Sequence, residues 1–221
     1  MIHSPIFHQP TVRGMCTFMR SHAGSVSAYL ESPAGRTIIK VSHNTTDMVQ
    51  GVPTEIPGAL TFEDYCDTLE RLSQCARKIV DLRSAARVRP VIIFDVDGVL
   101  NTRPGSLDSD KVQLLKDIAS ARNATLVTCS SWRSNPDMMN RLIQVFDGKI
   151  ASATPELGPL SADETQESIR NRELDEWLSW VSPKKYVIID DLDLFRDHWI
   201  QTDARIGLTT PHAETIMAAL A

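Results

Sequence analysis

Along the second half of the chain, runs of consecutive apolar residues alternate with stretches where apolar residues recur every three or four positions. VIIFDV (91–96), ATLVTCS (124–130) and KKYVIIDD (184–191) have the continuous apolar character of strands covered on both faces. Between them, SDKVQLLKDIASARN (109–123) and residues 136–146 have helical periodicity, the latter with Pro136 in its first turn. Residues 149–153 read as a short strand. Residues 163–180 read as a charged amphipathic helix with Leu174, Trp177, Leu178 and Val181 on or near its inner face. Residues 198–203 suggest one more strand, and PHAETIMAALA closes the chain as a helix with Pro211 in its first turn. Strand–helix alternation of this kind predicts a parallel sheet with helices on both faces.

The first part follows a different pattern. Residues 11–20, 25–30 and 36–41 are short, β-prone and separated by Gly, Ser and Pro, which predicts a small antiparallel sheet. Residues 44–60 contain GVPTEIPG and read as a loop. A helix is predicted from about Thr61, its N-cap, to about Ala86, with Phe62, Tyr65, Leu69, Leu72, Ala76, Ile79 and Leu82 forming an apolar stripe. That stripe fits packing against the domain that follows. The division falls near Arg89–Pro90, giving an N-terminal extension (1–89) and an α/β domain (90–221).

Composition narrows the class without naming a chemistry. An apolar fraction of 42% and a charged fraction of 23% are those of a globular protein. A net charge of -5 argues against a broad electrostatic grip on nucleic acid, although a local basic patch remains compatible with it. Cys16, Cys66, Cys75 and Cys129 form no CxxC pair and no zinc-spaced cluster with histidine, so free thiols in a reducing cytoplasm are expected. Pro5 and Pro10 interrupt the N-terminus, which does not read as a signal peptide. The apolar runs are strand-sized, so no membrane span is expected.

The chemistry gathers where the predicted strands end. The first gives Asp95 and Asp97, the second Ser130, Ser131 and Arg133, and the third Asp190, Asp191 and Asp193. A parallel sheet brings such ends to one rim, where ligands bind in folds of this type. Clustered carboxylates need a compensating cation, and oxygen-only donors favour Mg²⁺. A carboxylate can also act as a nucleophile, and an acid two residues on can move the proton. Gly98 lets the backbone turn sharply beside a phosphate.

These residues resemble the haloacid dehalogenase (HAD) phosphatases. FDVDGVLN is similar to their first motif, Ser130 to the lone Ser or Thr of the second, Arg170 to the basic residue of the third and IIDD to the acidic fourth. A closer likeness is to the small HAD domains of RNA-repair and of phage and bacterial proteins. It rests on DGVLN (97–101), SSWR (130–133), RNRELDEWL (170–178), VIIDD (187–191) and TDARIGLT (202–209). It covers roughly residues 90–221 and implies a Rossmann-like three-layer α/β sandwich. Asp95 would then be the nucleophile and Asp97 the acid/base, whose backbone carbonyl joins Asp95 and Asp191 around Mg²⁺. Asp190 would assist directly or through water. Ser130 would bind phosphoryl oxygens, with Ser131 as its alternative, and Arg170 would balance their charge, with Arg172 as its alternative. Gly98 would line the substrate, and Arg133 would either pair with the rim acids or touch substrate. The Asp at position 97 resembles the phosphatase branch of the family rather than the phosphonatase or dehalogenase branches.

The spacing between motifs leaves room for no large cap. An open site of this kind suits a nucleic-acid end or nucleotide phosphate. A small-molecule phosphatase, a phosphotransferase and a catalytically inactive binding module are the alternative readings. The extension could serve as a lid, a dimer contact or a docking surface. The histidines show no ligand spacing, and Trp132, Trp177 and Trp180 fit core positions.

Overall fold

The computed structural model describes strand residues 4–11, 14–20, 26–32, 35–42 and 50–52 together with residues 81–221. It forms two compact units, Met1–Val80 and Asp81–Ala221. Within the first, β1 (Ser4–Thr11), β2 (Gly14–Arg20), β3 (Val26–Ser32), β4 (Gly35–Ser42) and β5 (Gln50–Val52) form an antiparallel sheet in sequence order. The sequence pattern predicted one strand over 11–20 and a loop over 44–60. The structure instead ends one strand, β1, at Thr11, begins β2 at Gly14, and places β5 within the expected loop. Pro5 and Pro10 read as breakers, but β1 is an edge strand, where a missing N–H can face away from the ladder. The register of β1 also shifts between Pro5 and Phe7. Most of the helix predicted from Thr61 to Ala86 lies outside the described residues.

The second unit opens with helical residues 81–88 (α1). Then follow β6 (Val91–Phe94), α2 (Ser109–Arg122), β7 (Thr125–Thr128), a 3₁₀ turn (Ser131–Ser134), α3 (Pro136–Val145) and β8 (Ile150–Ala153). After these come α4 (Gln166–Val181), β9 (Tyr186–Asp190), β10 (Trp199–Gln201) and α5 (Thr210–Ala219). The five strands are parallel in the order β10-β9-β6-β7-β8. The chain therefore starts in the middle, winds outward through β7 to β8, and returns to the other side of β6. That reversal makes the carboxyl end of β6 a topological switch point, the usual place for a ligand crevice.

Alternate residues of each strand face opposite layers, as the pleat requires. Ile92, Phe94, Leu126, Val187 and Ile189 join a core with Val112, Leu115 and Ile118 of α2, Leu142 of α3 and Ala213 and Ile216 of α5. Intervening Val91, Ile93, Val127 and Ile188 are equally buried, as are Leu174, Trp177 and Val181 of α4. The result is the expected three-layer α/β sandwich. Only loops and α2 lie between β6 and β7, and only the 3₁₀ turn and α3 between β7 and β8, so no cap is inserted. No helix among the described residues is long and apolar enough to cross a membrane.

Candidate functional site

The rim is built from residues that follow the three central strands directly. Asp95 comes after Phe94, and its backbone N–H donates to the Ile189 carbonyl at 2.9 Å, extending the ladder by one residue. Its side chain is tied at once, because the Val96 N–H donates to Oδ1 at 2.8 Å. Ser130 is fully buried beyond β7 and caps the 3₁₀ turn, its Oγ accepting from the Trp132 N–H at 3.3 Å. That bond uses an acceptor site of the hydroxyl and leaves its proton available to a ligand. Asp190 is the last residue of β9, and Asp191 begins the loop.

Asp95, Asp190 and Asp191 each place one carboxylate oxygen within 4.8 Å of the others. Three acids this close, two of them buried, need positive charge nearby. Arg170 of α4 supplies part of it. Its guanidinium pairs with Asp190 and lies 3.5 Å from Asp95 Oδ2. Burial pushes the Asp190 carboxyl up to about 7, because desolvation outweighs the attraction of Arg170 and Asp95 repels it further. Burial and the Asp95 charge raise Asp191 as well. The cluster thus keeps excess negative charge when ionised, and its donors are hard oxygens. The nearby Cys129 thiol is not a competing ligand, since burial holds it well above its ordinary range and therefore protonated. The donor set fits a hard divalent ion.

The two acids of the pair differ in freedom. Asp190 is committed on both oxygens: Oδ2 meets Arg170, and Oδ1 accepts the Leu192 N–H at 3.0 Å. Asp191 is half-buried and leans over Gly98. A Cβ on Gly98 would come within 2.5 Å of the Asp191 Cγ, and Gly98 has φ +75°, so both space and backbone require glycine. Thr202, buried after β10, donates from Oγ1 to the Gly98 carbonyl at 2.8 Å and fixes that turn.

Asp97 has two side-chain donors of its own. Asn101 Nδ2 donates to its Oδ1 at 2.7 Å, and Trp132 Nε1 donates to its Oδ2 at 2.9 Å. Trp132 is therefore more than the core residue its sequence position predicted. Its ring is buried, but its N–H reaches an acid of the rim.

Two arginines expected near substrate are engaged elsewhere. Arg133 makes a 2.5 Å pair with Glu173 of α4 and donates to the carbonyls of Cys129, Ser130 and Pro155. It splints the loop after β7 to α4 and pairs with none of the rim acids. Arg172 pairs with Glu164 through Nε at 2.7 Å and Nη2 at 2.9 Å. It stands two residues from Arg170, about 200° around the helix, and so points away from the rim. Ser131 is exposed in the 3₁₀ turn, and Asp193 is exposed in the loop. Glu173 received no role from sequence, yet it is buried between two arginines: Arg133 at 2.5 Å and Arg170 Nε at 3.6 Å. The Leu157 N–H also donates to it at 3.0 Å. The spacing Arg170-x-x-Glu173 was the available signal, because i and i+3 share a helix face.

Residues 91–213 match the family described as the HAD domain in Swiss Army Knife RNA repair proteins. The chain belongs to this family. The match covers the whole parallel sheet and every residue of the rim described above. No curated protein and no solved structure matches the chain. HAD membership gives the coarse functional class, a phosphatase-type hydrolase acting on a phosphorylated substrate, and the buried Asp cluster could hold a metal.

Proposed function

We propose that the chain is a Mg²⁺-dependent phosphomonoesterase working through an aspartyl-phosphate on Asp95. The supporting observation is the convergence of Asp95, Asp191 and Arg170 at the switch point, beside a separately held Asp97. Asp95, Asp191 and the backbone carbonyl of Asp97 would hold the ion, with Asp190 behind them as the partner of Arg170. When bound, the ion supplies charge neutralisation for the transferring phosphoryl group.

The chain's own residues do the rest. Asp95 attacks phosphorus through a carboxylate oxygen, and the ester oxygen leaves with a proton from Asp97. Asp97 then takes a proton from water as that water attacks the acyl phosphate. Inorganic phosphate departs and the Asp95 carboxylate is restored. Ser130 donates its hydroxyl to a phosphoryl oxygen, and Arg170 offsets charge developing there. The absence of an inserted cap is compatible with a bulky substrate. With the family's link to RNA repair, this favours a nucleic-acid or nucleotide phosphate as substrate.

The test is phosphate release from p-nitrophenyl phosphate and from 5′- and 3′-phosphorylated nucleotides and oligonucleotides, with Mg²⁺ or EDTA. Metal-dependent turnover that disappears in Asp95→Asn is expected. Turnover insensitive to either change would refute the reading.

A further inference from the structure

We propose that Asn101 and Trp132 are positioning residues for Asp97, forming a buried clamp that fixes the plane of its carboxylate for proton transfer. The proposal rests on the phosphatase reading above. Asn101 is 1% exposed and Trp132 is 2% exposed, while Asp97 lies between them only half-buried. One N–H reaches each oxygen: Asn101 Nδ2 to Oδ1 at 2.7 Å and Trp132 Nε1 to Oδ2 at 2.9 Å.

The clamp is itself anchored. Asn101 Nδ2 also donates to the Ser106 carbonyl at 3.0 Å, and Asn101 Oδ1 accepts the Gly98 N–H at 3.3 Å. The amide therefore bonds Asp97, the Gly98 turn and the loop before α2 at once. The Trp132 ring is locked in the 3₁₀ turn whose cap is Ser130. The residue that orients the acid/base is thus tied through backbone to the hydroxyl assigned to the phosphoryl group.

The geometry suits a proton carrier. A carboxylate offers about four lone-pair directions, two on each oxygen. Each clamp bond occupies one per oxygen, so the group is fixed in plane while one direction on each oxygen stays open. A carboxylate free to rotate would have to be reoriented in every cycle. A misplacement of about 1 Å is enough to cost substantial rate. Neither residue would touch substrate, so both act through Asp97.

The distinguishing signature is leaving-group dependence. p-Nitrophenolate departs readily without a proton, whereas the alkoxide of a nucleoside 5′-monophosphate needs one. kcat/KM reports steps up to the first irreversible one, so later hydrolysis of the acyl phosphate does not enter. The experiment measures kcat/KM for p-nitrophenyl phosphate, phenyl phosphate and a nucleoside 5′-monophosphate in the full-length wild type, Asn101→Leu and Trp132→Phe. Thermal unfolding of each protein is followed alongside. General acid catalysis contributes roughly 10²–10⁴-fold, so a misaligned acid should cost about tenfold to a hundredfold with the alkyl ester. The loss with p-nitrophenyl phosphate should stay below about threefold, making the dependence on leaving-group basicity steeper. Asn101→Leu removes the donor to Asp97, together with the bonds to Ser106 and Gly98, at nearly constant volume, and carries the test if Trp132→Phe fails to fold. Equal losses across the three esters in a folded variant would overturn the clamp alone. A wild type inert towards all three, with Mg²⁺ present, would overturn the phosphatase reading and the clamp with it.

Discussion

Two Asp–Arg pairs in this molecule share their chemistry and differ in nearly everything else. Asp203 and Arg205 meet at 2.7 Å in the loop before α5, with side chains 38% and 87% exposed. There, hydrogen bonds from the Arg205 side chain and backbone hold Asp203 down at about 2. Asp190 and Arg170 also touch, but Asp190 has no exposed surface and stands near Asp95 and Asp191. Its carboxyl rises to about 7, because the cost of burying charge outweighs a direct arginine contact. An arginine is therefore insufficient to settle the acids of the rim, whereas the loop pair needs nothing more. The difference marks the rim as a place prepared for further positive charge.

The largest expected effect comes from Glu173, which pairs with both Arg133 and the rim's Arg170. Glu173→Ala leaves Arg133 and Arg170 buried with less countercharge, and should cost about 3–5 kcal/mol in denaturant unfolding. A loss below about 1 kcal/mol, the level of an exposed pair, would erase the contrast between the two regions.

A smaller effect follows from the direction of the Asp190 shift. Between its ordinary value and about 7, the folded protein keeps a proton that the unfolded chain has already lost. Stability without metal should therefore fall as pH rises from about 5 to about 7. Asp191 adds in the same direction. Asp190→Asn should flatten the fall, read from denaturation midpoints in EDTA. The depressed acids Asp203 and Glu164 titrate near 2 and contribute little to that window. A stability that rises across it, in both proteins, would reverse the assignment.

The smallest effect belongs to the loop pair. Asp203→Asn should leave unfolding stability nearly unchanged, since exposed pairs are screened by water and salt. A larger loss would mean that Asp203 has a structural role its exposure does not show.

Much of the rim was legible in the sequence because its chemistry sits at strand ends. A continuous apolar run stopping at Asp95, or at Asp190–Asp191, states both the element and the polar group that leaves it. Arg170 and Arg172 were harder to separate by identity, yet Arg170 continues the stripe of Leu174, Trp177 and Val181, which marks the sheet-facing side of α4. Glu173 sits beside the same stripe and was hidden by its charge, since a glutamate in a charged helix ordinarily faces water. The Trp132 bond to Asp97 was not legible at all, because it joins residues 35 positions apart. The edge strand β1 was missed for a related reason, since whether Pro5 and Pro10 break a strand depends on which side of it is paired.

If Asp95 carries the phosphoryl group, the intermediate can be captured. Protein mixed with p-nitrophenyl phosphate and Mg²⁺ is acid-quenched and its peptides are weighed, using the wild type and Asp97→Asn, in which hydrolysis of the intermediate should stall. A phosphoryl group is expected on the peptide bearing Asp95, more abundant in Asp97→Asn and absent from Asp95→Asn. Turnover with no phosphoryl group on that peptide, or with the group on another residue, would contradict that role of Asp95.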